Sequence, residues 1–392
     1  MSKIYLLIGL IFFLVTTVSL LLKGINTVPA EGDSINMHIP IAKNILSGNF
    51  FYLDKTKDIF YPAATETLLS LLMILKIPLN LFNVFGVLFA FIFSVILGVS
   101  AGLQKKMAIW YGLSIFFLYG ISRWSLTQKP DVWMLNFFIL ILIFYFKKVK
   151  QNIDYLWLGI SAGAFIGSKF TGPVFLLIIL IFFHKEFLKR INLKKIIFFI
   201  IPFFILGVFW YIRNFYITGN PFYFQGYSVT SLSTSDGLLA WHAWQSILFH
   251  TKDMLNALIS EFMLWSIGII IIPIFVLMHR KESKMSEIKK LVYVSIIFFI
   301  IYLFLPASDN LTQMIGSLRY IFPAIYLMIL SVFMIGAKYK INDLMITISF
   351  SNMVLLMIPE YHPKLLMLIF PILLSVNLLL KYFPSKQLKP SI

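Results

Sequence analysis

The sequence predicts an all-α, polytopic transmembrane protein of about twelve spans, and three observations predict it. Hydrophobic residues fill 60% of the 392 positions and charged residues only 12%, half of the roughly 25% that soluble domains carry. The mean hydropathy is +0.90. Apolar runs of membrane-spanning length recur from one end of the chain to the other. No hydrophilic stretch is long enough for a separate soluble domain, so residues 1–392 read as one transmembrane domain.

The spans fall near 4–22, 81–103, 107–122, 132–146, 155–168, 170–183, 196–212, 262–278, 291–306, 320–337, 343–358 and 365–380. The first could serve as a signal peptide, but its apolar run is long for a signal core, and the sequence favours an uncleaved span. The run 62–78 is ambiguous, and charge decides it. If it does not cross, the dense basic clusters Lys105–Lys106, Lys147–Lys150, Lys185–Lys195, Arg280–Lys290 and Lys338–Lys340 all face inward, as does the C-terminal tail. If it crosses, those clusters face outward, against the positive-inside rule. The stretch therefore reads as an interfacial or re-entrant helix, with Pro62 and Pro78 at its ends and Glu66 in its first turn.

The same bookkeeping gives a function class. A net charge of +17 reads as basic residues retained on the cytoplasmic side, and no nucleic-acid partner is expected. With no cysteine, disulfides, thiol catalysis and Cys-ligated metals are excluded. The span interiors carry essentially no charge, which speaks against a proton-coupled pump or a charged permeation path. Most acidic residues fall instead on the outer face, in 23–80, in the loop 123–131, and in the long segment 213–261.

Candidate site residues follow from that face. Asp33 stands in Glu31-Gly32-Asp33-Ser34 and Asp131 in Gln128-Lys129-Pro130-Asp131; each precedes a helical apolar pattern, so each also reads as a helix cap. Lys169 breaks the charge trend in Gly167-Ser168-Lys169-Phe170-Thr171-Gly172, as a snorkelling anchor in the membrane lipids or a counter-ion for a lipid phosphate. Arg213 and Arg319 sit at outer ends of spans, beside Asn214 and Tyr320. Residues 238–262, with Trp241, His242, Trp244, His250 and Asp253, read as an interfacial amphipathic helix. His38, His242 and His362 are scattered and argue for no metal site, and no HExxH, phosphate loop or nucleophile elbow is present.

Taken together, several stretches resemble the membrane-embedded GT-C glycosyltransferases, the fold of protein O-mannosyltransferases and lipid A aminoarabinose transferases, in their bacterial polytopic relatives. They are Gly32-Asp33 through His38-Ile39-Pro40 and Gly48; Tyr61-Pro62 with Glu66; Lys129-Pro130-Asp131; Gly159 through Lys169-Phe170-Thr171-Gly172; Arg213-Asn214 with Thr218-Gly219-Asn220-Pro221; and Arg319-Tyr320 with Pro323. Their order and spacing carry the likeness more than any one motif. The resemblance implies a catalytic acid in the first outer loop, here Asp33, a supporting acid in the second, here Asp131, and juxtamembrane helices in the first loop. This chain has Glu31-x-Asp33 where relatives often carry Asp-Glu or Asp-x-Asp, and Phe60-Tyr61-Pro62 where some carry a lysine.

The expected reaction moves a sugar from a polyprenyl-phosphate donor to a hydroxyl of a lipid, glycan or protein acceptor, outside the bacterial cytoplasmic membrane. Asp33 is the expected general base. Lys169, Arg213 and Arg319 are expected on the donor phosphate. His38, Tyr61, Glu66, Lys129, Asn214 and Tyr320 are expected around the substrates. Asp131 could orient the acceptor, hold a cation or stabilise positive charge at the sugar. No cofactor is specified, and a divalent metal is left open. Three rivals remain, one of them a non-enzymatic membrane scaffold in which the acidic first loop only caps helices. An O-antigen polymerase or ligase would work through 213–261, with Arg213 and His242. A lipid-linked oligosaccharide flippase would show repeated halves and a polar mid-membrane path.

Overall fold

The computed structural model describes residues 2–49, 61–147, 150–188, 192–222, 251–279, 281–282, 285–303 and 316–356. The predicted span 365–380 lies outside these residues, as do His242, His250, His362 and the tryptophans Trp241 and Trp244.

Every regular element among the described residues is helical. Helix α1 (Ser2–Asn26) opens the chain, and a π turn (Ser34–His38) leads into α2 (Ile39–Leu46). Helices α3 (Ala64–Ile74), α4 (Leu81–Ser100) and α5 (Lys105–Phe116) follow, then the single turn α6 (Tyr119–Ser122). Next come α7 (Asp131–Phe146), α8 (Asn152–Ile166) and α9 (Gly172–Leu188). Helices α10 (Leu193–Phe203) and α11 (Phe209–Thr218) are joined by a π turn directly after Pro202. A proline there removes one ladder hydrogen bond, and the wider turn absorbs the defect. Helices α12 (Thr251–Phe262) and α13 (Gly268–Met278) meet at a 3₁₀ turn, and α14 (Ser286–Leu303), α15 (Phe322–Lys338) and α16 (Asn342–Leu356) close the described chain.

Among the described residues five helices are long and apolar enough to cross a membrane: Ile4–Asn26, Leu81–Ser100, Leu193–Thr218, Met254–Met278 and Leu318–Lys338. Other predicted spans within the described residues appear as shorter helices; Asp131–Phe146, for instance, has 16 residues. The ambiguous run 62–78 yields the 11-residue α3. At 1.5 Å per residue that is about 16 Å, half of the roughly 30 Å hydrocarbon core. It packs against α2, and both belong to the first long connection as juxtamembrane helices.

Lipid tails are as apolar as leucine, so helices in a membrane associate through close packing and buried hydrogen bonds. Both devices are present. Glycines 159 and 163 lie one helical turn apart on α8, against the α10 backbone; a Cβ on Gly163 would stand 2.8 Å from the Cα of Phe203. Asn136 of α7 donates to the Gly86 carbonyl of α4 at 2.8 Å. At the centre, Tyr111, Tyr326 and Phe138 are fully buried, and the Tyr326 hydroxyl meets Ser94 Oγ at 3.1 Å.

The connections sort to two ends. At one, Lys338 pairs with Glu282 at 2.6 Å, Lys147 with Asp154 at 2.5 Å, and Tyr145 with Glu287. At the other, the segments around residues 33, 66, 129, 169 and 319 converge on one cavity.

Candidate active site

That cavity encloses about 260 Å³ and is lined by Asp33, His38, Tyr61, Asp131, Lys169, Arg319 and Tyr320, together with Gly32, Asn36, Met37 and Pro130. Residues from four separate connections therefore meet in one place.

Asp33 stands at the N-cap position of the π turn but makes no side-chain capping bond. Its carboxylate turns instead to Lys129, 2.7 Å away, with Arg319 at 3.9 Å. Lys129 also holds Glu31, at 2.9 Å. Burial alone raises the Asp33 carboxyl, but the Lys129 bond and charge, with Arg319 and His38 behind them, outweigh it and hold the group below the usual carboxylate range. The side chain is 53% exposed and open to the cavity, so Asp33 is an ionised carboxylate within reach of a ligand.

Asp131 is the first residue of α7, one past Pro130 at the cap position. Its side chain is only 3% exposed and is clamped between Lys169, through one oxygen, and Arg319 Nε, 3.2 Å from the other. Burial opposes ionisation here too, and the two cations overcome it, keeping the carboxyl below its usual range. Lys169 bears the cost of the shared site. Burial pushes its ammonium down, the Asp131 charge resists, and Arg319 adds repulsion, leaving Lys169 at about 8. Its ammonium lies 4.0 Å from the centre of the Tyr320 ring, a cation–π contact that matters more in a dry site.

The turn that delivers Lys169 is fixed from several sides. The Gly172 amide donates to the Lys169 carbonyl at 2.9 Å, and the Gly167 carbonyl accepts from the Ala64 amide at 2.8 Å, tying α8 to the start of α3. The Tyr61 ring packs edge-on against Phe170 at 5.2 Å. The second loop is anchored comparably. Asn83 Nδ2 donates to the Lys129 carbonyl at 2.9 Å, and the Gln128 amide donates to Ser34 Oγ at 3.0 Å. Ser34 in turn donates to Glu31 at 2.9 Å.

Glu66 lies behind the cavity wall, 1% exposed, with His38 Nδ1 at 2.7 Å and the Thr65 hydroxyl donating at 2.9 Å. Arg213 and Asn214 are not among the lining residues. The Arg213 guanidinium stacks on Trp210 at 5.0 Å, bonds Asn214 Oδ1 at 2.8 Å and reaches the Tyr61 carbonyl at 3.4 Å. Arg213 thus braces the segment that carries Tyr61.

The fold has a counterpart of known structure. ArnT from Cupriavidus metallidurans, crystallised bound to undecaprenyl phosphate, matches with a TM-score of 0.57, covering 95% of this chain and 72% of that one, at 11% sequence identity. The chain has the GT-C fold. No family model and no curated protein sequence matches it. The cluster of Asp33, Asp131, Lys169 and Arg319 is built from the same stretches that carry the resemblance in sequence.

Three participants escape a reading of the sequence. Trp124 faces three cations, with Arg123 at 4.3 Å, Lys129 at 4.5 Å and Arg319 at 5.4 Å from its ring centres. Gln128 staples the second loop to the first through Ser34. Glu261, at the border of a predicted span, is buried and paired with Arg123 at 3.0 Å, which places an ionisable pair at the end of an apolar segment. For Trp124 the available signal was its position in a short polar loop beside Arg123.

Among the described residues no group of three or more His, Asp or Glu side chains is arranged to hold a metal ion.

Proposed function

We propose that this chain is a membrane glycosyltransferase that moves a hexose or pentose from a polyprenyl-phosphate donor to an acceptor hydroxyl at the outer face of the bacterial cytoplasmic membrane. The observation that carries the proposal is the single cavity in which an open carboxylate, Asp33, meets Lys169 and Arg319, in a chain with the fold of a protein crystallised on undecaprenyl phosphate.

The chemistry suits those groups. A phosphate leaving group departs ionised and needs no proton, so the site requires one base and cations that take up departing charge. Asp33 accepts the acceptor proton as the acceptor oxygen attacks the anomeric carbon. The C–O bond to phosphate breaks with its electron pair on the phosphate. Lys169 and Arg319 meet that charge, and Arg213 supports the wall behind Tyr61. Asp131 keeps both cations aimed at the cavity while it is empty. One base attacking opposite the leaving group predicts inversion at the anomeric carbon, by analogy with inverting glycosidases.

A deletion strain tests the reaction class. Mass spectrometry of its surface glycans should show loss of one glycosyl unit, restored by the wild-type gene; an unchanged glycan and lipid profile would count against a transferase. A pH dependence follows from Lys169. With its ammonium at about 8, the donor-facing cation is present below that pH and lost above it. Transfer by the purified protein should therefore fall as pH rises through about 8, and Lys169→Arg should carry the fall to higher pH, because a guanidinium keeps its proton. A wild-type rate that stays level through this range would remove Lys169 from the phosphate.

A further inference from the structure

Asp33 alone is a poor resting place for a proton. Lys129 at 2.7 Å and Arg319 at 3.9 Å favour its ionised form, so a proton taken from an acceptor is held weakly. A second base in the same cavity completes the transfer, and one is present. His38 lines the cavity with Asp33. It sits on the π turn Ser34–His38, a local widening of a helix that recurs at functional positions. Its Nδ1 lies 2.7 Å from Glu66 Oε1, and the two side chains are 6% and 1% exposed.

The pairing defines the ring chemically. A carboxylate accepts only, so Nδ1 carries the hydrogen and Nε2 is left as the acceptor nitrogen. The second oxygen of Glu66 takes the Thr65 hydroxyl at 2.9 Å; no lysine or arginine pairs with Glu66 among the described residues. The buried carboxylate fixes the ring in one orientation, with Nδ1 held on Glu66. The other charged or titratable groups around His38 are those of the cavity: Asp33, Asp131, Lys169, Arg319, Tyr61 and Tyr320.

We propose that the His38–Glu66 pair is the terminal proton acceptor of the transfer, with His38 catalytic and Glu66 a positioning residue. This rests on the transferase reading. The acceptor O–H proton passes to Asp33 and then to Nε2 of His38, as the new C–O bond forms and the sugar–phosphate bond breaks with its electrons on the phosphate. Solvent later takes the proton from the imidazolium and resets the site.

The test uses the deletion strain complemented with variants, reading the lost glycosyl unit per amount of membrane protein. His38→Ala should lower product about a hundredfold, the size of a general-base contribution, and imidazole in the medium should restore a clear fraction by filling the space of the missing ring. Asp33→Asn should be inactive and unresponsive to imidazole. Glu66→Gln should lose roughly tenfold, at the low end of orienting-residue effects, also without rescue. His38→Asn, which keeps an N–H for Glu66, covers the case in which His38→Ala fails to insert. It should be as inactive as His38→Ala.

Product above half of wild type in His38→Asn would overturn the inference. So would an inserted His38→Ala that imidazole leaves inactive. Either result, with Asp33→Asn inactive, leaves the transferase reading standing. Loss of that reading shows separately, as a deletion strain with unchanged glycans.

Discussion

Asp33→Asn should reduce transfer to about a hundredth of wild type or less while leaving the protein folded. The first half follows from chemistry: the amide keeps the shape of the side chain but cannot accept the acceptor proton, and a positioned general base contributes about 10²–10⁴ in rate. The second half follows from the surroundings. The Asp33 side chain is 53% exposed, and Lys129 keeps Glu31 as a partner at 2.9 Å. An ion pair with that much solvent contact contributes at most about 1 kcal/mol. Glycosyl transfer and thermal unfolding of one detergent-purified sample check both halves together. Transfer above about a tenth of wild type, in a folded protein, would remove Asp33 from the role of base.

Asp131→Ala should behave in the opposite way, with a large cost to the fold itself. Its carboxylate is 3% exposed and lies between Lys169 and Arg319. Deleting one partner of a buried ion pair strands charge in a poorly solvated place, at a cost of about 3–5 kcal/mol. Here two cations are stranded. A clear fall in unfolding temperature and in membrane yield is expected. Adding Lys169→Met should recover part of the stability, because removing both partners leaves less buried charge than removing one, yet it should recover no transfer. An unshifted unfolding midpoint for Asp131→Ala would mean that the ion pairs contribute little to the fold.

These two aspartates show what the sequence discloses and where it stops. Both occur where a helical pattern begins, and capping is the ordinary reason for an aspartate there. Asp33 makes no capping bond in the folded chain, and at Asp131 the cap position belongs to Pro130. The distinction was accessible only through the cations: Lys169 and Arg319 were conspicuous as basic residues on the sparsely basic face, and both meet Asp131. The sidedness of charge also identified 62–78 as something other than a span, because one miscounted crossing would reverse every later loop.

What stayed hidden depends on approach between distant segments. Nothing in residues 28 apart announces that His38 and Glu66 are bonded; that pairing arises when α2 packs on α3. The direction of Arg213 was equally illegible. Midway along α11, it is turned toward the Tyr61 backbone by stacking on Trp210 and by bonds to Asn214. Trp124 looked like one aromatic among many, and only the folded loop surrounds it with three cations.

The proposed reaction requires the cations of this cavity to receive a polyprenyl phosphate. The direct measurement is binding of a polyprenyl phosphate to the purified protein in detergent, by native mass spectrometry or calorimetry, in wild type and Arg319→Gln. Saturable one-to-one binding is expected, weakened by about tenfold or more in Arg319→Gln, since a charge-assisted bond to phosphate contributes about 1.5–3 kcal/mol. Binding that does not saturate, or that Arg319→Gln leaves unchanged, would contradict it.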